Sequence, residues 1–296
     1  MTDMMNRLLL PPPPALAPLL RYLHLQLDSA GEIQLPATPW PHIGVLLAGR
    51  SQTVIDGLMV ATSPRAFVSG PITRPITLRV APGTRFISAL LRVGQLPRLL
   101  PLDCWRLSDQ VWPLEELIGG DEEAKLCDSL QACAQPQDLA DVFGRWLLKL
   151  AAERELRQPR ALRLPVARLF EQDAATLAAD CGLSLRQFER RFLASYGLPL
   201  RDARRLLRFV NMLGLLICRP QAGGKLAALA QDCGYFDQAH MARDFRALSG
   251  FTPSEMLRRV HGADDAALSL LQYSPAERSL VLGPDNSDVQ LLDLLP

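Results

Sequence analysis

Arg186, Glu189 and Arg190 lie within one short stretch of sequence, and Gln238, Ala239, His240 and Arg243 form a second such group. Residues three and four apart share one face wherever the chain is helical. On that face a guanidinium can fork onto a guanine, and amide or imidazole groups can bond other base edges in a DNA major groove. A third group, Arg201, Arg204, Arg205 and Arg208, repeats at the same spacing. Cations in such a row suit phosphate, where contacts position a protein without reading sequence. Other chemistry is thinly provided for. His24 and His42 are the only His before residue 240, neither at HxH or ExxH spacing, and the six Cys (Cys104, Cys127, Cys133, Cys181, Cys218, Cys233) contain no CxxC pair. No metal site, cofactor or catalytic residue is therefore expected. Cys104, Cys127 and Cys133 as oxidant sensors compete with the plainer role of buried, inert thiols. Trp40, His42, Trp105 and Trp112 are candidates for a ligand pocket, against the commoner role of aromatic residues as core.

The charges are unevenly placed. Net charge is +1, yet residues 159–260 carry 16 basic against 9 acidic residues, and residues 261–296 carry one Arg against six acids. A basic block between a neutral and an acidic part points to a polyanion-binding module. With 296 residues, 48% of them hydrophobic, the chain fills two domains. No stretch approaches the ~20 apolar residues of a membrane span. The three-Leu run before Pro11–Pro14 is too short for a signal-peptide core, so a cytoplasmic protein is expected.

The elements that must position these groups differ along the chain. Up to about residue 120, Pro and Gly punctuate short apolar runs (His42–Ala48, Ile76–Val80, Phe86–Val93), the pattern of a small barrel or sandwich. After Gly119–Gly120 the period lengthens. Leu139, Val142, Phe143, Trp146, Leu147 and Leu150 form one helical stripe within a helical part spanning 121–157. Gln158–Pro159 breaks that pattern. The expected fold is thus α+β: a β-rich sensor or dimerisation domain over 1–158, an all-α domain over 159–262 and an acidic tail over 263–296. Phe143, Trp146, Leu147 and Leu150 either pack on their own barrel or pair with a twin across a two-fold axis.

Beyond Pro165 the sequence repeats itself. Ala178-Ala-Asp-Cys-Gly182 recurs as Ala230-Gln-Asp-Cys-Gly234; one inserted residue later, Phe192 corresponds to Phe245 and Gly197 to Gly250. In each copy a short helix stops at a glycine able to turn the chain sharply. Ser184 with Gln187, and Asp237, then start a second helix. Phe188 and Phe192, and likewise Met241 and Phe245, face inward. Arg186, Glu189 and Arg190 in one copy, and Gln238, Ala239 and Arg243 in the other, face outward with His240 flanking. These are the parts of a helix-turn-helix, present twice. Between them Pro199 to Cys218 reads as one helix about 28 Å long, ended by Pro220 and Gly223–Gly224, with Leu206, Val210, Leu213 and Ile217 as its apolar stripe.

The stretches Gly182-Leu-Ser-Leu-Arg-Gln-Phe-Glu-Arg-Arg-Phe192, Gly234-Tyr-Phe-Asp-Gln-Ala-His-Met-Ala-Arg-Asp-Phe245 and Ser249-Gly-Phe-Thr-Pro-Ser254 resemble the two helix-turn-helix units of AraC/XylS-type bacterial transcription regulators. Leu16–Tyr22, Gly70–Pro71 and Val111–Leu117 resemble an N-terminal domain found in some of them. The resemblance implies a sensor and dimerisation domain, often a small β-barrel, joined to a DNA-binding domain. By it, Leu185, Arg186, Glu189 and Arg190 lie at groove-contacting positions of the first recognition helix, and Gln238, Ala239, His240 and Arg243 at those of the second. Ala239 departs from the polar residue expected there, and can touch a thymine methyl instead. Implied partners are promoter DNA, RNA polymerase, a second copy of the chain and a small-molecule effector. The competing class is a metal- or cysteine-dependent enzyme, cupin-like or a DNA-repair protein, that carries this DNA-binding module as an accessory.

Overall fold

The computed structural model describes residues 7–155, 161–162, 164–218, 226–262 and 273–282. The expected domain boundary at Gln158–Pro159 and the stop at Pro220 and Gly223–Gly224 lie outside the described residues, as does most of the tail. Two antiparallel sheets make the N-terminal part. One runs in the order β1 (Arg7–Leu10), β2 (Leu20–Gln26), β9 (Arg85–Leu91), β4 (His42–Ala48), β7 (Ala66–Ser69), β10 (Val111–Pro113). The other runs β3 (Gly31–Leu35), β8 (Ile76–Val80), β5 (Ser51–Ile55), β6 (Leu58–Thr62). The apolar runs read from sequence coincide with β4 and β8 and overlap β9.

Alternation splits the larger sheet into two faces. Leu23, Leu25, Ile43, Val45, Val68 and Ile87 point to one side and are almost fully buried. Against them pack the helices α1 (Glu115–Ile118), α2 (Gly120–Gln131) and α3 (Pro136–Glu155). The stripe of α3 is consumed there. Phe143 and Leu147 are wholly buried, Trp146 and Leu150 nearly so, and the Phe143 and Trp146 rings stack at 5.7 Å. These four residues were candidates for a two-fold interface; the structure instead buries them in the core of one chain. The physical reason is width. The six-stranded sheet needs a cover for its apolar face, and the long α3 stripe supplies much of it beside α1 and α2.

The C-terminal part comprises α4 (Val166–Glu171), α5 (Ala174–Asp180), α6 (Leu185–Tyr196), α7 (Leu200–Cys218), α8 (Leu226–Asp232), α9 (Gln238–Ser249) and α10 (Pro253–Gly262), with α11 (Pro275–Leu282) beyond. Leu206, Val210, Leu213 and Ile217 of α7 are buried as the stripe requires, but so are Phe209, Met212, Leu215 and Leu216. The C-terminal half of α7 is mostly apolar and enclosed: the repeated units lie on one side, α11 and the barrel on the other. Among the described residues no helix is long and apolar enough to cross a membrane.

Candidate nucleic-acid interface

Local sequence fixes the entry to each recognition helix in the same way twice. Asp173 caps α5, its Oδ1 accepting from Thr176 N–H at 2.7 Å. The helix closes where Leu183 N–H donates to Ala178 O at 2.9 Å, with Gly182 at φ +65°. In the second copy Tyr235 N–H donates to Ala230 O at 2.8 Å, with Gly234 at φ +76°. This six-to-one bond over a left-handed glycine is the turn that duplication of the motif predicts. Ser184 and Gln187 form the expected capping box on α6, and Asp237 Oδ1 accepts from His240 N–H at 2.6 Å on α9. Each cap is worth about 1 kcal/mol. At the far ends α6 and α9 terminate on Gly197 and Gly250, both left-handed, at φ +81° and +83°.

Phe188, Phe192, Met241 and Phe245 are buried as read from sequence. The outward positions are open: Leu185 is 45% exposed, and Arg186, Glu189, Arg190, Gln238, Ala239 and Arg243 are exposed beside it or on α9. His240 is only partly so. Its ring meets Tyr235 edge-on at 5.4 Å, and its Nε2 lies 3.7 Å from Asp244 Oδ2. Both recognition helices rest on the barrel by their C-terminal ends: Ser108 Oγ donates to Gly197 O at 2.5 Å, and Ala37 N–H donates to Leu248 O at 2.7 Å. The exposed polar groups lie in their N-terminal halves, at the end opposite that attachment.

The row of phosphate candidates divides. Arg201 is the exposed one, 92% open beside Asp202. Arg204 turns inward and donates from Nε and Nη2 to the carbonyls of Leu169 and Gln172, at the C-terminal end of α4. A cation there answers carbonyls the helix leaves unbonded. Arg205 Nε donates to Asp244 Oδ1 at 2.8 Å, and the Arg208 guanidinium lies over the Tyr235 ring at 5.6 Å. Arg204, Arg205 and Arg208 thus join α4, α9 and the turn between α8 and α9 to α7, so each already has a partner within the chain. Sequence reasoning passed over Asp244, a buried carboxylate one residue before the core Phe245, which gathers Arg205 and His240. It also passed over Phe236, which is 87% exposed immediately before the α9 cap. The signal was the residue inserted between the copies, an aromatic where no core position falls.

The other face of the barrel sheets encloses a cavity of about 590 Å³. Strands of both sheets line it, through residues such as His24, His42, Phe67, Ser69, Thr53 and Leu78, together with Trp40. Ser69 Oγ and His42 Nδ1 are hydrogen-bonded at 2.8 Å. Burial pushes both imidazoles down to about 4, with the nearby Arg7 charge adding to the effect at His24, so both are neutral near pH 7. Among the four pocket candidates Trp40 and His42 line this cavity. Trp105 is 48% exposed, and Trp112 packs on the helical side of the sheet. Burial pushes the Cys104 and Cys127 thiols up, away from the thiolate a nucleophile needs. Among the described residues no three His, Cys, Asp or Glu are grouped to hold a metal ion.

Residues 177–259 match the family described as a helix-turn-helix domain. No curated protein matches the chain. Among solved structures, an apo form of ToxT from Vibrio cholerae strain SCE256 is 13% identical, with 80% of this chain and 96% of that one covered at a TM-score of 0.40. Unsaturated fatty acid-bound wild-type ToxT of the same strain is 12% identical, with 80% and 94% covered and a TM-score of 0.40. The AraC-like transcriptional activator CuxR is 16% identical, with 65% and 76% covered and a TM-score of 0.30.

Proposed function

We propose that the chain is a sequence-specific DNA-binding transcription regulator of the AraC/XylS type. In this reading α6 and α9 enter successive major-groove segments of a promoter. The observation that carries it is the pair of matched turns, each presenting an exposed polar helix face, with the barrel attached at the opposite ends of those helices. Successive groove faces lie ~34 Å apart, and α7 supplies a rod about 28 Å long between the two units. Leu185, Arg186, Glu189 and Arg190 read one segment. Gln238, Ala239 and Arg243 read the other, with His240 at its flank and Phe236 placed for apolar contact with a thymine methyl. Arg201 takes phosphate. The barrel cavity holds a small-molecule effector, in the volume range of ligand pockets. RNA polymerase is the downstream partner. A second copy of the chain would double the contacts at high effective concentration, through a surface other than the α3 stripe.

Selection of bound duplexes from a random DNA library tests the reading. The expected product is a composite motif of two blocks about one helical turn apart. Arg190→Ala degrades one block and Arg243→Ala the other. A single block, or no enrichment over random DNA, refutes it.

A further inference from the structure

Helix α11 belongs to neither helix-turn-helix unit, and its own sequence dictates where it starts. Ser274 N–H donates to Glu277 Oε2 at 2.7 Å and Glu277 N–H to Ser274 Oγ at 3.3 Å, with Pro275 at the first helical position. Arg7 Nε of β1 donates to Glu277 Oε1 at 3.3 Å, and the Arg7 guanidinium lies 4.1 Å from the centre of the Tyr273 ring. At the other end Arg21 of β2, buried and stacked on Trp40 at 4.2 Å, donates to Val281 O at 3.2 Å. That is the favoured place for a cation on a helix. On its opposite side α11 rests on α7, where Gly214 leaves the needed space: a Cβ at that position would stand 2.8 Å from Leu282 O.

The same segment is part of the cavity wall. Tyr273, Val281 and Leu282 line it together with Val210 and Leu213 of α7, and no other described helix does. Of the charged wall groups, Arg7, Glu32 and Asp109 are answered by Glu277, Arg79 and Thr73, and Asp28 is exposed to solvent. The rest of the wall is apolar surface and uncharged polar groups, among them the hydroxyls of Thr53, Ser69 and Ser88 and two imidazoles, of which His24 has an Nε2 without a hydrogen-bond partner among the described residues. Such a lining suits an uncharged guest.

We propose that α11 is an intramolecular strap: it closes the barrel cavity, clamps α7 to the barrel, and yields when an uncharged, largely apolar molecule bearing hydroxyl or carbonyl groups occupies the cavity. The inference rests on the reading of that cavity as the effector site. Occupancy is then felt by α11 and α7 together, and α7 is the rod that spaces the two recognition helices.

Two full-length variants and two dyes test it. Gly214→Ala places a methyl group against the Leu282 carbonyl, while Ala itself favours the α7 helix over Gly. Ser274→Ala combined with Glu277→Ala removes the α11 cap and leaves α7 unaltered. N-phenylnaphthylamine, uncharged, and anilinonaphthalene sulfonate, its anionic relative, report the cavity by fluorescence; tryptic cleavage after Arg278 reports release of α11. The expected result is uncharged-dye affinity at least tenfold higher in both variants, with faster cleavage after Arg278. In the unaltered chain, saturating uncharged dye should also hasten that cleavage. Equal dye affinity in all three proteins with unchanged cleavage overturns the strap and leaves the effector cavity standing. Failure of all three to bind the uncharged dye overturns the cavity reading and the strap with it. Tighter binding of the anionic dye overturns the assigned ligand class.

Discussion

Gly197 and Gly250 occupy corresponding places at the ends of α6 and α9 and share a left-handed backbone, so an alanine at either should meet the same conformational penalty of about 1–2 kcal/mol. Their surroundings differ. Nothing lies within 4 Å of a Cβ added at Gly250. At Gly197 the added atom would stand 3.0 Å from Pro71 Cγ and 3.1 Å from the Cys104 carbonyl oxygen, both on the barrel. Forced close packing of that kind costs roughly a further 1–3 kcal/mol. Gly250→Ala should therefore lower stability by the conformational amount alone, and Gly197→Ala by that plus the clash. At about 2–4 °C per kcal/mol for a domain of this size, the second variant should melt several degrees below the first by far-ultraviolet circular dichroism. A double-mutant cycle sharpens the test. Pro71→Ala should recover part of the Gly197→Ala loss and none of the Gly250→Ala loss. Equal losses in the two single variants, without coupling to Pro71, would falsify the seating of the first recognition helix on the barrel.

Four further outcomes follow from the same geometry. Arg190→Ala and Arg243→Ala should relax base preference by about 1–3 kcal/mol in separate blocks of the site, whereas Arg201→Ala should weaken all sequences alike and flatten the salt dependence; anisotropy titrations on selected and random duplexes distinguish the two. Phe236→Ser should reduce affinity for the selected duplex with no change in melting temperature, because a residue so exposed has little packing to lose; undiminished affinity sinks its contact role. Trp146→Glu should unfold the N-terminal part, since it buries a charge in the core between α3 and the sheet, and a folded mutant with unchanged melting would return the α3 stripe to the surface. Stability should fall as pH drops from about 6.5, the ordinary His value, toward about 4, the value burial gives His24 and His42. In that window the unfolded chain binds protons that the folded chain excludes, a slope of about 2.7 kcal/mol per pH unit for two histidines. Urea midpoints across the window check it, and replacing both with Gln should flatten that part of the curve.

The helix-turn-helix units were legible because each is fixed by contacts local in sequence. A glycine turn, a cap within three residues and large core side chains one turn apart are all written in a dozen letters, and their repetition removed the ambiguity that one copy leaves. The strands were legible for a similar reason, each apolar run being bounded by Pro or Gly. What the sequence did not disclose was which cations are outward. Arg201, Arg204, Arg205 and Arg208 look alike at helical spacing, but three of them meet partners from α4, α9 or the turn between α8 and α9, at separations of dozens of residues. Only the packing of those helices around α7 decides which guanidinium is left for phosphate. The α3 stripe failed in the same way. A wide apolar face announces that it will be covered and is silent on what covers it.

The cavity and the strap had signals that were written in the wrong places to be read singly. His24, His42, Ser69 and Ser88 each alternate with large aliphatic residues in their strands, so one face of the sheet is aliphatic and the other carries hydroxyls and imidazoles. Ser69 and His42 satisfy one another, but a dry core would leave His24 Nε2 unsatisfied at a cost of about 1–3 kcal/mol, which argues for a space that admits a partner. The α7 sequence from Phe209 to Ile217 is apolar except for Asn211, more than two helix-turn-helix units can cover from one direction. It requires a second cover, and Ser274-Pro-Ala-Glu277 is a helix start in a tail otherwise read only as acidic. Gly214 marks where the two meet, since a glycine costs an α-helix about 1 kcal/mol and is offset here by the close approach of the Leu282 carbonyl. The enclosed rod, the polar sheet face and the capped tail helix together require one another: the tail helix completes both the burial of α7 and the wall of the cavity, so neither the DNA-binding part nor the barrel is finished without it.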